Sequence, residues 1–246
     1  MYEDDYLLAL DKPAGLSTAP DRADPFRPSL TGLLHKAIAD AKPWAATRGL
    51  SFLMYSHRLD AEASGVLLFA KNKSVLVQLL DLFGSEQPDL SFLTLVQGSP
   101  AEAHFTVEAK LSPHPTQTGV MRVDPKYGKQ ARTSFEVVER FKDWTLIKCR
   151  PLTHRRHQIR VHLARARLRV AGDSTYGGKP LLLSSIKPGY RLKPRHTERP
   201  LIGQACLHAA QLTLPHPVTG ASLTIDAPWP KDSLVAIKYL RKYDQP

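Results

Sequence analysis

Asp60 lies in a polar connection, His57-Arg58-Leu59-Asp60-Ala61-Glu62-Ala63-Ser64, that runs into the apolar stretch Val66–Ala70. An ionised carboxylate beside a buried strand can attack an electrophilic carbon, accept a proton or hold a cation. The same pattern fits an ordinary turn residue that bonds its own backbone. A further reading pairs Asp60 with Glu62 as the two acids of a nucleoside or glycoside hydrolase, although alternate residues share a face in any extended segment. The second chemical segment is Thr153–Leu163, Thr-His-Arg-Arg-His-Gln-Ile-Arg-Val-His-Leu, which puts Arg160 among other cations. Its histidines His154, His157 and His162 match no standard zinc spacing, so no metal site is expected.

The elements that must position these residues follow from periodicity. Tyr6–Leu10 reads as a strand stopped by Asp11-Lys12-Pro13-Ala14-Gly15. Ser29 is placed to cap a helix that ends at Pro43, and Phe52–Tyr55 reads as another strand. Val66–Ala70, apolar on both faces, belongs in the middle of a sheet. Leu76, Leu79, Leu80 and Phe83 mark a helix. Strands are expected at Phe92–Val96, around Phe105–Leu111 and Thr133–Val137, and at Trp144–Cys149, Leu207–Leu214 and Ser222–Ile225. Ile159, Leu163, Ala166 and Val170 recur at helical spacing, and Asp232 or Ser233 is expected to cap a terminal helix. Pro180–Pro200 reads as a long surface loop. The order lacks regular βαβ alternation, so the fold class is α+β with a mainly antiparallel sheet.

The chain of 246 residues carries 34 lysines and arginines against 23 acids, a net charge of +11 that favours a polyanionic partner. From Trp144 to Gly172 there is no acid, while Lys148, Arg150, Arg155, Arg156, Arg160, Arg165, Arg167 and Arg169 are basic. That asymmetry predicts a stripe of arginines projecting from one helix toward phosphates, extended by Lys179, Lys187, Arg191, Lys193 and Arg195. The longest apolar run is far below the ~20 residues of a membrane span, and the acidic start Met1-Tyr2-Glu3-Asp4-Asp5 is unlike a secretory signal, so a cytoplasmic protein is expected. Cys149 and Cys206 stand apart in apolar surroundings and read as buried thiols.

His57–Lys71 (HRLDAEASGVLLFAK) closely resembles the HRLDxxTSGLLLxAK signature of RluA-type RNA pseudouridine synthases. Tyr2–Ser17 is similar to that family's opening segment, Gly128–Thr133 (GKQART) to its central stretch, and Thr153–Leu163 to its TGRTHQIRVHL. Gly172–Gly177 (GDSTYG), Leu207-His208-Ala209 and His216-Pro217…Gly220 follow in order, so the resemblance spans roughly residues 2–230.

The resemblance implies a pseudouridine synthase fold, an antiparallel mixed sheet flanked by helices with a central RNA-binding cleft. Residues 1–246 would form a single catalytic domain of two subdomains sharing one sheet. It implies Asp60 as catalytic carboxylate and Arg160 as its salt-bridge partner, since a nearby cation keeps an enclosed carboxylate ionised. Arg58 would fill the space left when the target nucleotide flips out. His57 either touches the RNA backbone or makes a structural hydrogen bond within its loop. Phe92, Ile159, Arg155 and Arg156 complete the expected RNA-binding set. Phe92 replaces a family tyrosine and keeps a stacking ring without a phenol, while Ala63, His154 and Arg156 replace threonine, glycine and threonine or serine. The implied reaction isomerises uridine in rRNA or tRNA without cofactor, by a monomer with no obligate protein partner and without the S4-like domain found at the front of many relatives. The alternative is a catalytically impaired RNA-binding or folding factor on the same scaffold.

Overall fold

The computed structural model describes residues 1–20, 24, 26–192 and 196–245. Its elements, in chain order, begin with β1 (Tyr2–Glu3), β2 (Leu7–Lys12), α1 (Leu30–Ala39), α2 (Pro43–Ala46), β3 (Met54–Tyr55), β4 (Ser64–Ala70) and α3 (Lys73–Gly84). Then come β5 (Asp89–Gln97), β6 (His104–Pro113), β7 (Met121–Val123), β8 (Lys129–Arg140), β9 (Trp144–Pro151), α4 (Gln158–Arg165) and β10 (Arg169–Val170). The chain closes with β11 (Leu207–Pro215), β12 (Ser222–Asp226) and α5 (Lys231–Tyr243). This is an α+β fold. It divides into two compact units, Met1–Leu90 with Ala209–Pro228, and Ser91–His208 with Trp229–Pro246.

In the first unit the strand order is β1-β2-β4-β11, with β12 on β11 and β3 on β4. All seven residues of β4 are buried, as expected of a strand apolar on both faces. Its register pairs Leu7 with Ala70 and Lys12 with Gly65. The strand β2 therefore runs through Asp11 and Lys12 rather than stopping before them. Ser29 caps α1 by accepting from the Gly32 amide at 3.2 Å. Pro43 opens the short helix α2, where its missing N–H costs nothing. Only Met54–Tyr55 of the expected Phe52–Tyr55 strand pairs.

In the second unit the order is β5-β9-β8-β6-β7, with β10 on β5. The paired strands β5, β9, β8, β6 and β7 are antiparallel throughout. Leu95, Phe141, Trp144 and Leu146 pack under Ala236, Ile237 and Leu240 of α5. Leu181, Ile186 and Ile202 join that cluster, so the Pro180–Pro200 segment is tied into the core in part and is not simply a surface loop. Lys193 and Arg195, expected to extend the basic stretch, lie outside the described residues.

The helix expected over Ile159–Val170 ends at Arg165, because Arg167 takes a left-handed φ of 61° and the chain turns into β10. The residue flanking α5 is Pro230, with Asp232 inside the first turn. The arginine stripe along α4 does not exist, since Gln158 through Leu163 are all buried and Arg165 is the exposed arginine of that helix.

Candidate active site

Asp60 is half-buried in the turn between β3 and β4, where its carbonyl accepts the Ala63 amide at 3.1 Å. The turn is gripped by the segment that follows β2. The Thr18 hydroxyl donates to the Leu59 carbonyl at 2.9 Å and accepts the Leu59 amide at 3.1 Å. On the other side of Asp60, the Ala61 carbonyl accepts the Gly15 amide at 2.8 Å and the Lys12 ammonium at 3.3 Å. Both neighbours of Asp60 are thus fixed by backbone-directed bonds, which leaves its side chain at a defined point of a rigid loop.

Lys12 is fully buried, and its Nζ also donates to the carbonyls of Pro13 at 2.8 Å and Leu16 at 2.6 Å. Burial pushes the ammonium down to about 8, against the pull of the Asp60, Glu62 and Asp11 carboxylates, which favour its charged form. This cation was not among the expected site residues. The signal was present in the Asp11-Lys12-Pro13-Ala14-Gly15 turn, but a lysine beside proline and glycine reads as surface.

The strand that carries the loop away from Asp60 depends on Gly65. Its φ is 107°, and a Cβ there would collide with the Ala209 backbone carbonyl of β11. His57 Nε2 accepts the Leu68 amide at 3.2 Å, and the ring stacks on Phe83 with centroids 5.0 Å apart. His57 thus makes a structural hydrogen bond, to strand β4 rather than within its own loop. Arg58 is exposed beside it.

In the second unit, Phe92 is 7% exposed and lies opposite Cys149, which lies opposite Phe135. Phe105 continues the row and stacks on Phe135 at 4.9 Å. Ile159 is buried on α4. Arg160 is 1% exposed and forms a bidentate pair with Asp173, Nε and Nη2 each 2.7 Å from a carboxylate oxygen. That partner was not anticipated. Asp173 is itself buried, so the pair removes two opposite charges from water together.

Arg155 and Arg156 are exposed on the loop before α4. Gln158 holds this loop by using its whole amide. Its Oε1 accepts the Thr153 hydroxyl at 2.7 Å and the Arg155 amide at 3.1 Å, while Nε2 donates to the Arg132 carbonyl and to Thr133 Oγ1, both at 2.9 Å. Thr133 Oγ1 also bonds Nδ1 of the fully buried His162 at 2.9 Å. Burial and the nearby Arg165 push His162 down to about 4, so its ring is neutral at physiological pH. Cys149 and Cys206 are free, buried thiols pushed upward by desolvation.

Among the described residues, no group of three or more His, Cys, Asp or Glu is placed to hold a metal ion, and no helix is long and apolar enough to cross a membrane. Within the first unit the Asp60 carboxylate thus sits on a pinned loop whose frame includes the buried Lys12 ammonium, with Glu62 on the same turn and the exposed Arg58 two residues before Asp60.

Residues 6–165 match the RNA pseudouridylate synthase family model. The chain is 34% identical over 243 residues to the ribosomal large subunit pseudouridine synthase C of Salmonella typhi, covering 98% of this chain and 69% of that protein. It is 33% identical over 244 residues to the ribosomal large subunit pseudouridine synthase D of Xylella fastidiosa, with the same coverage of 98% and 69%. It thus spans about two thirds of the length of these relatives. The solved structure of human RNA pseudouridylate synthase domain containing 4 shares the fold, with a TM-score of 0.72 at 21% identity over 98% of this chain and 92% of that one. The chain belongs to the RNA pseudouridylate synthase family, a class of RNA-modifying isomerases.

Proposed function

We propose that this enzyme converts specific uridines of structured RNA to pseudouridine, with Asp60 as the catalytic carboxylate and Arg160 as a second residue of the reaction. In this reaction the bond from C1′ to N1 breaks and one from C1′ to C5 forms. The C5 hydrogen leaves as a proton and N1 gains one, so nothing is oxidised and no energy source is consumed. One carboxylate serves, either by attacking the sugar or base or by taking a sugar proton on the way to a glycal.

The observation that carries the reading is the grip on the turn at Asp60, with Thr18 bonded to Leu59 on one side and Lys12 and Gly15 bonded to Ala61 on the other. A nucleotide flipped from its stack costs a few kcal/mol, and the exposed Arg58 guanidinium suits the vacated gap. The exposed Arg155 and Arg156 supply phosphate contacts. The names of the relatives make large-subunit ribosomal RNA the first target to test, ahead of transfer RNA. We read residues 1–246 as one catalytic domain, acting as a monomer on RNA in the cytoplasm.

The test is pseudouridine mapping of RNA from a strain lacking the gene, incubated with the pure protein and with Asp60→Asn. New pseudouridine at one or a few sites with the native protein and none with the variant is the expected result. A cellular effect that survives in Asp60→Ala, with no pseudouridine made, would replace this reading with that of an RNA-binding factor.

A further inference from the structure

We propose that Tyr176 is a positioning residue, which together with Asp173 fixes the guanidinium of Arg160 in two perpendicular senses. This rests on the reading that Arg160 serves the uridine isomerisation.

Asp173 grips one edge of the guanidinium through Nε and Nη2, which fixes its position along that edge. A pair made along one edge leaves the plane able to tilt about the line of contact. Tyr176 supplies the opposing surface, with Cζ of Arg160 lying over its ring, 5.1 Å from the centroid. Both groups come from one short turn, Asp173 preceding the 3-10 segment Ser174–Tyr176, and the Gly178 amide closes that turn onto the Asp173 carbonyl at 2.8 Å.

The ring is itself tied down at its far end. The Tyr176 hydroxyl oxygen accepts the Met121 amide of β7 at 2.9 Å and bonds His157 Nδ1 at 2.8 Å. His157 meets the ring edge-on, with centroids 5.7 Å apart, and holds a left-handed φ of 54° just before α4. A non-glycine residue in that conformation persists where its surroundings determine it, and the tyrosine hydroxyl is one such surrounding. Tyr176 therefore connects β7, the entry of α4 and the Arg160 side chain through one phenol.

The experiment compares Tyr176→Phe, which keeps the ring and removes the hydroxyl, with Tyr176→Leu, which removes the ring. Two readouts are taken on the whole chain. One is kcat and KM for pseudouridine formation on the RNA that the native protein modifies. The other is the proton resonance of Arg160 Nε–H and its exchange with water. The expected result is a kcat for Tyr176→Leu lower by about ten- to a hundredfold, the scale of an ångström misplacement, with KM within about twofold and faster Nε–H exchange. Tyr176→Phe should fall between, with the Nε–H signal kept in place. Native kcat together with native Nε–H exchange in both variants would overturn the proposal. If Tyr176→Leu does not fold, Tyr176→Phe decides alone, through a kcat loss at unchanged KM. Should the native protein make no pseudouridine, the functional reading fails, and the exchange of Nε–H still decides whether Tyr176 holds Arg160.

Discussion

The ammonium of Lys12 reaches the carbonyl of Ala61 at 3.3 Å, forty-nine residues along the chain and one residue past Asp60. A buried cation is thereby part of the frame of the loop that carries the candidate catalytic carboxylate.

Lys12→Met removes three donors and leaves the carbonyls of Pro13, Leu16 and Ala61 without that partner. The expected cost is about 2 to 4 kcal/mol, read from urea unfolding, with activity falling further than the folded fraction alone explains. A loss below about 1 kcal/mol would mean that the ammonium is not a support of the loop.

Gly65→Ala places a methyl group against the Ala209 backbone at a φ of 107°. Both faults act at once, because β4 is buried along its whole length and Ala209 on β11 is itself buried. Destabilisation of more than about 3 kcal/mol, or insoluble protein, is expected. A variant with native thermal stability would show that β4 and β11 are less tightly apposed than described.

His162 makes stability sensitive to mild acid. Its folded value of about 4 lies below the unfolded value near 6.5, so the unfolded chain binds the extra proton between those limits. Stability from this group is complete above about pH 6.5 and is lost as pH falls through the window toward 4. The loss is of order 3 kcal/mol over the whole window, of which about 2 kcal/mol is reached by pH 5. Urea midpoints at pH 7 and pH 5 should converge for His162→Gln relative to the native chain, and an equal drop in both proteins would assign the acid lability elsewhere.

Gln158→Ala breaks four hydrogen bonds and releases the loop of Arg155 and Arg156. It should cost about 2 to 3 kcal/mol and weaken RNA binding. Arg155→Ala and Arg156→Ala, at exposed positions, should leave stability within about 0.5 kcal/mol while reducing the salt dependence of RNA affinity by up to about one phosphate's share each. A salt slope unchanged in the double variant would remove this loop from the RNA interface.

Much of the framework could be read from the sequence because local pattern and tertiary setting agree there. Val66–Ala70 announced a doubly covered strand, and Ser29 a helix start, from side-chain chemistry alone. Reading failed where polar groups are satisfied far from their neighbours in sequence. Gln158, Arg160 and His162 look solvent-facing by type, but Thr133, Arg132 and Asp173 give them partners, so most of α4 is buried and the exposed arginines flank it or sit at its end instead of lining it. Lys12 was overlooked for the same reason. Family resemblance named Asp60 and Arg160, whereas the groups that hold them, Thr18 and Lys12 for one and Asp173 and Tyr176 for the other, emerged only from the coordinates.

The first unit is assembled from residues 1–90 and 209–228. During synthesis, β4 would emerge from the ribosome long before the strand that shelters it, since β11 begins at Leu207. A nascent chain must therefore carry an unpaired apolar strand edge until Leu207 and the residues after it have been made, a state prone to aggregation. Slow folding is the natural consequence of this long-range closure.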